Sequence, residues 1–145
     1  MVKFEIKKAV DETHLEECLL IRKKVFIEEQ GVTPAEERDG LDDQSDHYLL
    51  EKEEVPIATA RVRYIEDKAK IERVAVLAEF RGRGYGQNIM KYIIKEIISS
   101  QRVKKILLGA QNHAIPFYKD IGFVECGEEY IDAGIPHKDM MMSIE

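Results

Sequence analysis

From Val74 to Gln87 the chain reads Val74-Ala75-Val76-Leu77-Ala78-Glu79-Phe80-Arg81-Gly82-Arg83-Gly84-Tyr85-Gly86-Gln87. This is a short apolar run, a glycine-rich turn and the start of a helix, and it narrows the fold to those that pass from strand to helix through such a turn. Glycines at alternate positions remove the Cβ atoms that would hold a bound group off the backbone, so successive N–H groups can turn toward one ligand. The helix that follows, over residues 86–99, adds unsatisfied first-turn donors and the positive end of its dipole, and together these favour an anion such as phosphate. A nucleotide P-loop would need Gly-Lys-Ser/Thr, which does not occur in the chain. A dinucleotide fingerprint would need a third glycine where Gln87 stands. An ordinary glycine turn is the other reading, and the loop by itself does not separate the two.

At 145 residues and 44% hydrophobic content the chain can bury one sizeable core, so residues 1–145 are expected to form a single domain. No apolar run approaches the ~20 residues of a membrane span. The opening Met1-Val2-Lys3-Phe4-Glu5-Ile6-Lys7 alternates like a strand rather than a signal peptide, and a cytoplasmic location is expected. Cys18 and Cys126 give no disulfide framework and read as reduced, buried thiols. The net charge of −6 argues against nucleic acid and favours cationic or amine partners. No metal is expected, because the histidines and cysteines lack ligand spacing. The sequence leaves the oligomeric state undetermined, with a homodimer open.

The pattern along the chain is α/β of mixed type. A strand over Val2 to Lys8 precedes a helix that Asp11 or Thr13 can cap and that carries Leu15, Cys18, Leu19, Val25 and Phe26 at helical spacing. Arg22 falls on that apolar stripe, either to pair with a carboxylate or to face an acceptor. Residues 30–46 lose periodicity and are acidic, which reads either as a solvated loop or as the mouth of a site. Strands follow over Tyr48 to Lys52, Ile57 to Tyr64 and Lys70 to Leu77, as an antiparallel meander turning at Glu53-Glu54-Val55-Pro56. Ile89, Met90, Ile93, Ile94 and Ile97 give the helix after the loop its buried face, and Lys104 to Ala110 reads as a buried parallel strand. A helix over His113 to Ile121 and closing strands complete the chain.

With Val74-Ala75-Val76 before it, Arg81-x-x-Gly84-x-Gly86 resembles the acyl-CoA pyrophosphate loop of the GNAT superfamily of N-acyltransferases. Gln111-Asn112-His113-Ala114-Ile115-Pro116-Phe117-Tyr118, closing on Gly122-Phe123, resembles that family's second signature, with Gln111 where asparagine is usual and Asn112 one place late. The resemblance implies a central mixed, mostly antiparallel sheet with a splayed strand and flanking helices, and acetyl-CoA as acyl donor. It places the pantetheine arm against the backbone of Val74, Ala75 and Val76. The pyrophosphate would lie in Arg81, Gly82, Arg83, Gly84, Tyr85 and Gly86, and either Gln111 or Asn112 would contact the cofactor.

Acyl transfer from a thioester needs a donor for the oxyanion, an acid for the departing thiolate and a base for the attacking ammonium. The Val76 N–H suits the first task. A phenol of ordinary pKa ~10 is protonated at neutral pH and can serve a thiolate of pKa roughly 8.5, and the resemblance puts Tyr118 at the acid position. Glu72, on the cofactor-facing strand, is the candidate base unless it merely pairs with a basic residue; His113 and His137 are alternatives. Arg22-x-x-Val25-Phe26-Ile27-x-Glu29-Gln30-Gly31 and Gly134-Ile135-Pro136-His137-x-x-Met140 further resemble a bacterial subgroup, and suggest that Arg22, Glu29, Asp39, His47 and His137 converge on an acceptor pocket. The expected activity is acetyl transfer to a primary amine of a small molecule. A protein or peptide amine, or a non-catalytic acyl-CoA sensor, are the alternatives.

Overall fold

The computed structural model describes residues 3–144; Val2, which the alternation assigns to the first strand, lies outside them, as do Met1 and Glu145. Among the described residues one eight-stranded sheet has the order β1-β2-β3-β4-β5-β8-β6, with β7 paired to β8. β1 (Phe4–Ala9), β2 (Asp46–Lys52), β3 (Val55–Ile65) and β4 (Lys68–Val76) form the expected antiparallel meander. Glu53 and Glu54 turn the β2–β3 hairpin with φ of 50° and 69°. β5 (Lys105–Gln111) runs parallel to β4, and β6 (Val124–Glu125), β7 (Tyr130–Asp132) and β8 (Ile135–Ser143) close the sheet antiparallel.

The alternation of β3 sorts its two faces. Ala58, Ala60 and Val62 pack into the main core with Ile89, Met90, Ile93 and Ile97 of α3 (Tyr85–Ser100). The opposite face is covered by α1 (Glu12–Arg22), whose Cys18 and Ile21 pack with Leu49 and Ala75. Asp11 caps α1, its carboxylate accepting from the His14 N–H, and Thr13 lies inside the helix. α1 does not continue to Phe26 as a regular helix. Lys23–Glu29 widen into a π-helix, and the broader turn presents Phe26, Glu29 and Gln30 to the cleft described below. Cys18 is fully buried, and desolvation pushes its thiol up to about 11, so it is inert as a nucleophile.

The central feature is where β4 and β5 part. They pair only at Lys68–Lys70 against Lys105–Leu107 and then diverge. A register shift helps turn β4 outward: Arg73 and Val74 oppose the single residue Ala60, and Arg73 takes a φ of 56°. The splayed strand that the resemblance implies is therefore β4.

Candidate active site

A cleft of about 1110 Å³ opens in the gap between the diverging strands. Its walls include Glu72, Val74, Ala75 and Val76 of β4, Gln111 of β5, Arg81, Gly82, Gly84, Tyr85 and Gly86 of the loop, and Tyr118 of α4 (Ile115–Ile121). Two residues that the sequence reading also placed on the cofactor do not line it. Arg83 lies outside, its guanidinium 5.9 Å from the Phe80 ring, and the Asn112 amide donates to Glu129. Gln111 faces the cleft, its amide donating to Gln30 across 2.9 Å.

The glycines divide their work. Gly82 and Gly84 take φ of 75° and 86°, and a Cβ built on either would meet nothing within 4 Å. They leave an open cradle at the N-terminus of α3, where the first-turn N–H groups have no intrahelical acceptors. Gly86 serves packing instead, since a Cβ there would come within 3.3 Å of the Phe117 ring. Gly84→Val should abolish useful acyl-CoA affinity: a β-branched residue in this conformation costs about 1–3 kcal/mol and its side chain would fill the cradle. Calorimetry should find acyl-CoA binding weakened by at least about tenfold with a cooperative melt retained. Parental affinity would reduce the loop to a turn.

At the end of β4 the backbone is poised for an oxyanion. The Leu77 N–H donates to Ile57 at 2.9 Å, so by antiparallel alternation the N–H and C=O of Val76 point away from β3 into the gap. Arg81 Nε occupies the Val76 carbonyl at 2.9 Å, leaving the N–H to the cleft. Arg81 also makes a bidentate pair with Glu29 at 2.6 and 2.7 Å, which holds the loop against the end of the π-helix.

Tyr118 sits between Phe117 and Phe123, ring centroids 5.0 and 6.1 Å away, and its hydroxyl bonds no group among the described residues. Burial raises the phenol well above its ordinary value, so it stays protonated at any working pH. Glu72 has a different setting. Arg61 Nη2 and Arg63 Nε each reach Oε1 at 2.7 Å. Burial pushes this carboxyl up, but the bond from Arg63 and the charge and bond of Arg61 outweigh it, and the net shift is downward. Such a carboxylate is a weak proton acceptor and a good anchor.

The acidic loop was the least legible part of the sequence. Three of its carboxylates interlock with arginines in a closed ring: Arg22 to Glu37 (2.7 Å), Glu37 to Arg73 (3.1 Å), Arg73 to Asp39 (3.3 Å), Asp39 to Arg61 (2.8 Å), Arg61 to Asp42 (2.9 Å) and Asp42 back to Arg22 (2.8 Å), while Glu36 and Asp43 stay exposed. Arg22, Arg61 and Glu37 are almost wholly buried, so the solvated-loop reading fails at Glu37 and holds at Glu36 and Asp43, while Glu37 and Asp39 also line the cleft. Of the five residues expected to converge on an acceptor pocket, Glu29, Asp39 and His137 reach the cleft. Arg22 and His47 do not; Arg22 belongs to the ring, and the His47 Nε2–H donates to the Asp42 carbonyl. Arg61, which the sequence reading passed over, is the hub.

A family model described as the acetyltransferase (GNAT) domain matches residues 9–144. The chain belongs to the GNAT acetyltransferase family. It is 37% identical over 134 residues to an uncharacterized N-acetyltransferase, YjcF, of Bacillus subtilis (strain 168), covering 92% of this chain and 95% of the relative. Among solved structures, Escherichia coli ElaA superposes with a TM-score of 0.84 at 30% identity, covering 97% of this chain and 99% of ElaA. An acyl-CoA N-acyltransferase from Pseudomonas aeruginosa superposes at 0.83 and 26% identity, with the same coverage. As a GNAT acyltransferase this protein takes its acyl group from an acyl-CoA. No described helix is long and apolar enough to cross a membrane.

Proposed function

We propose that this GNAT acyltransferase moves the acetyl group of acetyl-CoA to a primary amine of a small molecule by direct attack on the thioester. The observation that carries the reading is the splay of β4 from β5, which opens one cleft onto the glycine cradle, the Val76 N–H and the Tyr118 side chain together. In this reading the Gly82–Gly86 backbone binds the pyrophosphate, and Val74 and Val76 guide the pantetheine arm into the gap. The Val76 N–H donates to the carbonyl oxygen as it gains charge. Tyr118 donates to the sulfur as the C–S bond breaks. The Gln30–Gln111 bridge joins the π-helix end to β5 on the cleft wall, and in this reading it limits the room for the acceptor, favouring a small amine over a protein segment.

The first test is binding. Acetyl-CoA at ~100 times its dissociation constant should stabilise the fold by about 2.7 kcal/mol, a rise of several degrees in Tm by scanning calorimetry. No rise at millimolar acetyl-CoA, or a rise with ATP or NAD instead, would overturn the acyl-donor assignment. A library of primary amines scored by free CoA release then decides between catalysis and sensing, and an acetylated peptide with inert small amines would favour the protein substrate.

A further inference from the structure

The proposed transfer needs a group to take the proton of the arriving ammonium, and Glu72 is already committed to Arg61 and Arg63. On the cleft wall, β7, β8 and β5 set Tyr130, His137 and Gln111 in one row as register partners. The Tyr130 ring stacks on the His137 imidazole, centroids 5.8 Å apart and planes 23° from parallel, and its hydroxyl donates to Asp139 at 2.7 Å. A Cβ at Gly109 would collide with that hydroxyl, so the missing side chain on β5 is what lets Tyr130 lie across the sheet. The His137 Nδ1–H donates to the Ile135 carbonyl at 2.7 Å. In the neutral ring that bond puts the proton on Nδ1 and the lone pair on Nε2. Nε2 has no partner among the described residues, on a side chain that lines the cleft.

We infer that His137 is the catalytic base, its Nε2 taking the proton of the acceptor ammonium. This inference rests on the acyl-transfer reading above. An N–H bond of R–NH3⁺ breaks and an Nε2–H bond forms, giving the free amine and an imidazolium. The amine nitrogen bonds to the thioester carbon, the carbonyl π pair moves to oxygen, and collapse breaks the C–S bond. The thiolate takes a proton from Tyr118, which is restored by the second nitrogen proton. The imidazolium returns its proton to water, so one proton is released for each amide and CoA thiol formed.

The charged and titratable groups around this row are Tyr130 and Asp132 of β7, Asp139 and Lys138 of β8, Glu125 of β6, which pairs with Lys138 at 3.1 Å, and His113 after β5. Tyr130 is raised by burial and by its bond to Asp139 and stays protonated. The His113 Nε2–H donates to Gln111 from an exposed turn, so His113 is the rival base.

The test compares n-butylamine, an ammonium at neutral pH, with hydroxylamine, whose nitrogen is already unprotonated there. His137→Asn keeps a donor for the Ile135 carbonyl and removes the basic nitrogen. Its kcat/KM for n-butylamine should fall by about 10²–10³-fold near neutral pH, and that for hydroxylamine by no more than about threefold. The acid limb of the n-butylamine pH profile should move upward toward the amine's own titration, because only free amine can then attack, while Tm and acetyl-CoA affinity by calorimetry stay parental. Equal losses with both amines, or a parental acid limb, would overturn the proposal. So would an acid limb displaced upward in His113→Asn but parental in His137→Asn. CoA release with neither amine in the unaltered protein would instead count against the transfer reading, which the binding measurement judges separately.

Discussion

Arg61→Met is expected to lower Tm by about 10 °C. The fully buried guanidinium bonds Asp39, Asp42 and Glu72 at once, and burial lowers its proton affinity less than these carboxylates raise it. Removing one partner of a buried ion pair leaves unpaired charge behind and costs about 3–5 kcal/mol. Each carboxylate here keeps a second arginine: Arg73 for Asp39, Arg22 for Asp42 and Arg63 for Glu72. The loss should therefore sit near the lower bound, about 3 kcal/mol, and for a chain of this length each kcal/mol moves Tm by roughly 3–4 °C. Methionine retains the stem's packing, so scanning calorimetry reads the charge network rather than a cavity. A fall under about 2 °C would mean the ring contributes no more than surface pairs do.

The same network sets a pH signature. Asp39 is lowered chiefly by its bond from Arg61, against desolvation. In Asp42 and Glu72 desolvation is the largest influence and raises them, but the arginines prevail and both are lowered. Carboxyls whose folded pKa lies below the unfolded value contribute stability that is complete above about pH 5 and is lost as pH falls through the folded values. Arg61→Met relaxes those shifts, so the gap between parental and variant stability should be widest near neutrality and close in acid. Glu37, in contact with Arg22 and Arg73, couples the same segment to the cleft wall, so the variant should also raise KM for the amine.

What could be read from the sequence follows the range of the interaction that decides it. Ile89, Met90, Ile93, Ile94 and Ile97 recur at helical spacing, and all five are buried as the periodicity requires. Gly82 and Gly84 were legible because positive φ is a local property with a residue preference. The arginine ring was not, since its bonds join residues 15 to 36 positions apart and leave no local period. One signal was available: Arg61 lies inside a strand covered on both faces, where a charge has to be paired. Tyr130 over Gly109 pairs two residues across three strands, and neither is unusual in its own segment. Gln111 and Asn112 differ by one position, and only the strand's last pleat decides that Gln111 faces the cleft.

Tyr118→Phe should lower kcat by about 10²–10⁴-fold, the usual contribution of general acid catalysis, and leave acetyl-CoA affinity nearly unchanged. The proposed hydrogen bond runs to a sulfur that carries charge only as the C–S bond breaks, so its removal acts on the transition state rather than on the bound ground state. Losing one oxygen alters the contacts with Phe117 and Phe123 little, and no described residue is left without a partner. Because burial holds the phenol protonated well beyond its ordinary range, the parental enzyme should show no alkaline loss of activity from this group. A basic limb that disappears in Tyr118→Phe would contradict that environment. The decisive measurement is single-turnover acetyl transfer to a working amine, which isolates the chemical step, beside calorimetric binding of acetyl-CoA. A transfer rate within about threefold of parental would return Tyr118 to the aromatic core and leave the departing thiolate to solvent.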